Sequence, residues 1–210
     1  TRDSLGALGA YIVKLNSAGM FEWSYGFDGD NADYLWCVAA SEGGAVFAGA
    51  MFSSSVVNFG GGNRSRGGME GTTDVALVRL DPSTAGWTGD RVFVGSNYEG
   101  INAIDADSTY VTVAGYSESL DLNLGGSTYA SNGQADIFWG RYSSSTLAHN
   151  FSGVVGSTSP DHPSGVSVDP TGAVYLAGHF GGTIDFGFGP VSPINAIYAG
   201  YAYKLNPTGS

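Results

Sequence analysis

The chain has 210 residues, 42% of them apolar, with 34 glycines, eight basic and 19 acidic side chains and a formal net charge of −11. That length and apolar content fit one ordered domain with a core and exclude a disordered tail. The charge argues against nucleic acid and against anionic membrane surfaces, both of which call for clustered Lys and Arg, and suits solubility, cation binding or neutral partners such as glycans.

Glycine runs at more than twice its average share of about 7%. With 12 Tyr, 11 Phe and abundant Val, Ser and Thr, this predicts many short strands joined by tight turns. No helical apolar stripe is sustained, and no run reaches the ~18 apolar residues of a membrane span. The single cysteine, Cys37 in LWCVAAS, allows no internal disulfide and reads as a buried free thiol. No signal peptide is visible, and both ends fall within a repeat, so the chain is expected to be a segment of a longer protein.

In chain order, the first strand signals are AYIVKL (10–15), MFEWSYG (20–26), LWCVAAS (35–41) and AVFAGAMF (45–52). The turns NSAG (16–19), DGDNAD (28–33) and SEGG (41–44) separate them. NFGGG (58–62) ends the series, and the loop GGNRSRGGMEGTT (61–73) leads to ALVRLD (76–81), where the pattern restarts. STYVTVAGYS (108–117) and NLGGS (123–127) follow, then FWGRYS (138–143), TGAVYLAGHF (171–180), DFGFG (185–189) and finally YAYKLN (201–206). The basic residues Lys14, Arg79, Arg141 and Lys204 recur at spacings of 65, 62 and 63. Asp74 and Asp136 stand shortly before two of the basic strands, and the small pairs Ala48–Gly49, Ala114–Gly115 and Ala177–Gly178 mark a second repeated strand.

Three anchors in one order at a shared period establish an internal repeat. The units run 9–73, 74–135 and 136–199, with a partial unit 200–210. Four short antiparallel strands per unit predict an all-β fold of β-propeller blades: three repeats plus the first strand of a fourth, part of a larger propeller. The four basic residues are expected at equivalent places in successive units.

These anchors resemble the SBBP (β-propeller repeat) family. The first unit supplies YIVKLNSAG, Trp23, Asp33, VAAS, GAVFAGAMF and NFGGG, and the third supplies SVDPTGAVYLAGHF and DFGFG. The second unit departs from the pattern, with Trp87 and Phe93 near the tryptophan position and AIDADSTYVTVAG where a turn glycine is expected. The resemblance implies a propeller fold in a secreted or cell-surface setting and no common catalytic activity.

Chemistry-bearing motifs are sparse. There is no GxSxG elbow, phosphate loop or HExxH helix. His149, His162 and His179 fall at different repeat positions and read as surface or turn residues. Asp28, Asp30 and Asp33 are candidate calcium ligands in FDGDNAD, but the ligand count is short of the six to eight Ca²⁺ requires, which favours a solvated turn. Asn63 and Asn150 head N-glycosylation sequons, Asn63 in the glycine-rich loop. Tyr98, Tyr129 and Tyr198 are the candidates for stacking on sugars. The expected function is a non-enzymatic extracellular structural or adhesive module, without a cofactor, whose partners are further blades of the same protein or other chains. The alternative is a propeller that binds glycan or protein on its loops. Neither reading involves nucleic acid or membrane insertion.

Overall fold

In the computed structural model, residues 9–27 and 29–209 are described, and among them all regular structure is strand. β1 (Ala10–Leu15) and β2 (Phe21–Phe27) form an antiparallel ribbon. β3 (Asp33–Ala40) and β4 (Val46–Phe52) come next, followed by a small hairpin of β5 (Val56–Asn58) and β6 (Asn63–Ser65). β7 (Asp74–Leu80) and β8 (Trp87–Phe93) complete a four-stranded antiparallel sheet in the order β3-β4-β7-β8, so the hairpin is an excursion between its second and third strands.

The plan then repeats. β9 (Glu99–Ala106) and β10 (Tyr110–Ser117) precede a hairpin of β11 (Leu122–Asn123) and β12 (Thr128–Tyr129), and β13 (Asp136–Ser143) and β14 (His149–Val155) finish the second sheet. The third sheet has β15 (His162–Val168), β16 (Val174–Phe180) and β19 (Ala199–Leu205), with β17 (Ile184–Asp185) and β18 (Pro190–Val191) as its hairpin.

The hydrogen-bonded sheets run two strands out of phase with the sequence repeat. β1 and β2 pair only with each other, while β3 and β4 open the next sheet. A period can be cut at any point along its length. The sheet is fixed by which turns are hairpins, and the Phe27-to-Asp33 connection is a crossing between sheets rather than a hairpin.

Register places the basic residues as expected. On the third strands Arg79 lies opposite Phe47, Arg141 opposite Thr112 and Lys204 opposite Tyr175, one position of the second strand in each sheet. Lys14, Arg79 and Arg141 also share a fourth-strand position, opposite Trp23, Gly89 and Phe151. The same register corrects the first small pair. The residues equivalent to Ala114–Gly115 and Ala177–Gly178 are Gly49–Ala50, one place later than Ala48–Gly49. Gly49 sits where two sheets approach, and a Cβ there would lie 3.1 Å from Ile101 of the next sheet and 2.5 Å from the Cys37 sulfur.

The core is a series of apolar layers between successive sheets. One joins Trp23, Tyr25 and Phe27 of the ribbon to Val78 and Leu80, a second joins Phe47 and Leu77 to Ile101 and Phe138, and a third joins Ile137 and Trp139 to Val174 and Leu176. The first strands β3, β9 and β15 contact one another in sequence. Tight turns close the hairpins. Gly44 and Gly172 adopt φ of +88° and +86°, and their amides donate to the Ser41 and Asp169 carbonyls. The second sheet lacks that glycine; there the Asp107 carboxylate accepts the amides of Thr109 and Tyr110 at 2.6 and 2.7 Å and holds the turn instead.

Candidate functional site

The residues that carry chemistry gather at junctions between neighbouring sheets. At two junctions the basic residue of the repeat reaches across to the turn after the third strand of the next sheet, whereas the Arg79 Nε is buried and makes no hydrogen bond among the described residues. Lys14 Nζ donates to the Pro82 carbonyl at 2.9 Å, beside Trp23 Nε1, which donates to the same oxygen. Arg141 donates to the Pro207 carbonyl at 3.4 Å and to the Gly172 carbonyl at 2.8 Å, with Nε on Thr112 Oγ1. Arg141 is fully buried between the rings of Tyr110 and Phe151. Lys204, at the same position of the third sheet, lies over the Tyr175 ring.

A second motif sits at the opposite end of these strands. Asp74 opens a third strand and Glu99 opens the first strand of the next sheet; both are buried, close enough for the Asp74 charge to act on Glu99. Burial and a neighbouring like charge both disfavour an ionised carboxylate. Burial pushes Glu99 up to about 7, against the lowering effect of the Ser119 and Ser117 hydroxyls that donate to it. Burial raises Asp74 as well, opposed by the Gly67 and Gly95 amides at 2.7 and 3.1 Å. The next junction also brings two buried carboxyls near each other, Asp136 and Asp161, which interact through charge. Burial lifts Asp136 to about 6, against the Asn132 amide, and the Asp161 charge adds to the rise. Asp161 accepts the Ser157 and Gly181 amides at 2.5 and 2.8 Å.

Of the acidic cluster, Asp28 lies outside the described residues. Asp30 is exposed and accepts both the amide and the hydroxyl of Ser55, whose hydroxyl bond chiefly lowers its pKa. Asp33 is buried and turns to Ser54, and burial raises its pKa. The two carboxylates thus serve different partners, and among the described residues no three His, Cys, Asp or Glu side chains are grouped to hold a metal. Asn63 and Asn150 are both exposed, on β6 and β14. Cys37 is half-buried, and burial pushes its thiol up to about 12, so it holds no thiolate at neutral pH.

Tyr129 is engaged through its hydroxyl with the Ser152 carbonyl at 2.8 Å, whereas Tyr98 and Tyr198 present open rings. His149 bonds Ser152 Oγ and packs against Tyr142. His162 and His179 lie directly opposite each other on β15 and β16, 17 residues apart in the chain. Sequence reading missed this pair because a bulge shifts the register between Pro163 and Gly165. Counting back from the Val168–Val174 pair without it would set His162 opposite Phe180. The acid pairs left a legible signal that was not used: Glu99 and Asp161 each follow their partner aspartate by 25 residues.

No protein-family model and no curated protein matches this chain.

Proposed function

We propose that this chain is a segment of an extracellular β-propeller of the SBBP kind, and that it works by association as a structural or adhesive module rather than by catalysis. The observation that carries this reading is a difference in burial at equivalent repeat positions. Val78 and Leu80 are fully buried between sheets, while Val13 and Leu15, at the same places in the ribbon, are 45% and 54% exposed. At the other end Tyr175 is 40% exposed where Phe47 is fully buried. Faces built to stack on a neighbouring sheet therefore stand open on both flanks, and apolar faces of this kind mark contact with further protein. The third sheet supports the same reading. β7 and β13 each pair with a fourth strand, whereas β19 pairs among the described strands with β16 alone, which leaves an edge able to take another strand.

The covering protein is a further sheet of the same repeat, from the same polypeptide or another. The test is sedimentation of the 210-residue chain over a range of concentrations. Self-association that weakens when Val13→Lys and Leu15→Lys are introduced supports the reading, and a stable monomer with both flanks in water overturns it. The second reading, a glycan-binding propeller, draws on the open rings of Tyr98 and Tyr198 at the ends of the second and third sheets. Retention on immobilised glycans that is lost in Tyr98→Ala or Tyr198→Ala would favour it.

A further inference from the structure

We propose that His162 and His179 form a two-imidazole site for a single divalent transition-metal ion, with Cu²⁺ preferred over Zn²⁺ or Ni²⁺. Directly opposed residues of an antiparallel pair point to the same face of the sheet, with Cβ atoms about 5 Å apart. The two rings have centroids 5.4 Å apart at an interplanar angle of 40°. That spacing lets one nitrogen from each ring turn to a common ion by rotation about the side-chain torsions alone.

The surroundings favour coordination over the alternatives open to a histidine. Neither ring forms a hydrogen bond within the described residues, so their nitrogens are not committed to protein partners. His149 differs, because its Nε2 is taken by Ser152 Oγ at 2.8 Å. Aromatic edges fix the pair on both sides: Tyr116 meets His162 at 4.6 Å and Tyr198 meets His179 at 5.2 Å, both edge-to-face. Orienting contacts of this kind reduce the rotamer freedom that binding would otherwise have to remove.

Imidazole nitrogen suits Cu²⁺, Zn²⁺ and Ni²⁺, and affinity at an N-donor site peaks at Cu²⁺. Two protein ligands leave the remaining positions to water, so the ion would be exchangeable. Bound there, it would tie the first strand of the third sheet to the second at the rim beside β10.

The test titrates the purified chain with CuCl₂, followed by calorimetry and electron paramagnetic resonance. One saturating ion with a nitrogen-ligated spectrum is expected. Each of His162→Gln and His179→Gln should weaken binding by about tenfold or more, since one of two ligands is lost, while His149→Gln should leave it unchanged. No saturable binding, binding that survives both substitutions, or an equal loss in His149→Gln overturns the proposal. Should a variant fail to fold, histidine modification of the unaltered protein decides. Cu²⁺ should shield His162 and His179 from an acylating reagent while His149 still reacts, and equal labelling of all three with and without the ion overturns the site.

Discussion

The junction between the first and second sheets and the outer face of the third sheet are built from the same repeat positions and have opposite fates. At the junction Phe47 is sealed beneath Ile101 and Phe138; on the outer face its counterpart Tyr175 meets solvent. At the next junction, between the second and third sheets, Arg141 is buried against carbonyls of the third sheet, and its counterpart Lys204 is exposed over a ring. Val78 and Val13, and Leu80 and Leu15, separate the two causes: the residue is the same in each pair, and only the one covered by a neighbouring sheet is buried.

The sharpest way to break this comparison is to truncate the same position twice. Phe47→Ala should cost about 3–5 kcal/mol, as large-to-small changes in closed cores do. Tyr175→Ala should cost under about 1 kcal/mol in the isolated chain, because little packing is removed there. Denaturant unfolding of both variants checks this, and equal costs would mean that the outer face is already covered.

A smaller difference is expected for the basic position. Arg141→Met should destabilise by about 2–3 kcal/mol, because the buried guanidinium gives up charge-assisted bonds to the Gly172 and Pro207 carbonyls. Lys204→Met should change stability by no more than about 0.5 kcal/mol, as at other exposed sites. Thermal unfolding of the pair measures the contrast.

The acid pairs sharpen the comparison through pH. Glu99 has its folded pKa raised, so the folded state holds a proton that the unfolded chain releases. Its contribution is fully present below the ordinary glutamate range, near 4.5, and is lost as pH rises to about 7. For Asp136 the window runs from 3.8 to about 6. Glu99→Gln should flatten the fall in stability between pH 4.5 and 7 by on the order of 2 kcal/mol. Unfolding curves across that range test it, and an unchanged slope would mean that the Glu99 pKa is not raised in the folded state. The smallest effect belongs to the ribbon flank. Val13→Lys with Leu15→Lys should leave unfolding within about 0.5 kcal/mol while shifting the sedimentation profile.

Much of the fold was legible in the sequence because strand, turn and period signals reinforce one another. Every segment named as a strand in the first unit forms one, and the bases fall in register. What was misread depends on pairing, which composition does not encode. AVFAGAMF holds both Ala48–Gly49 and Gly49–Ala50, and only the opposing strand tells them apart. The histidine pair turns on a one-residue bulge, and a shift of one residue exchanges the faces of a strand. Asp33 read as a candidate ligand on spacing alone, yet its position at a strand start buries it against Ser54.

That bulge recurs on the first strand of every complete junction, and its extra residue is Trp36, Asn102 or Ser164. Each stands outside the ladder and is exposed. A residue that carries no register can be exchanged without disturbing the strands beside it. An indole, a carboxamide and a hydroxyl already occupy the three places, and the carboxamide of Asn102 reaches the Pro163 carbonyl of the next sheet at 2.9 Å. The bulge therefore acts as an interchangeable slot. The repeat can keep its architecture while this single position varies what the first strands display.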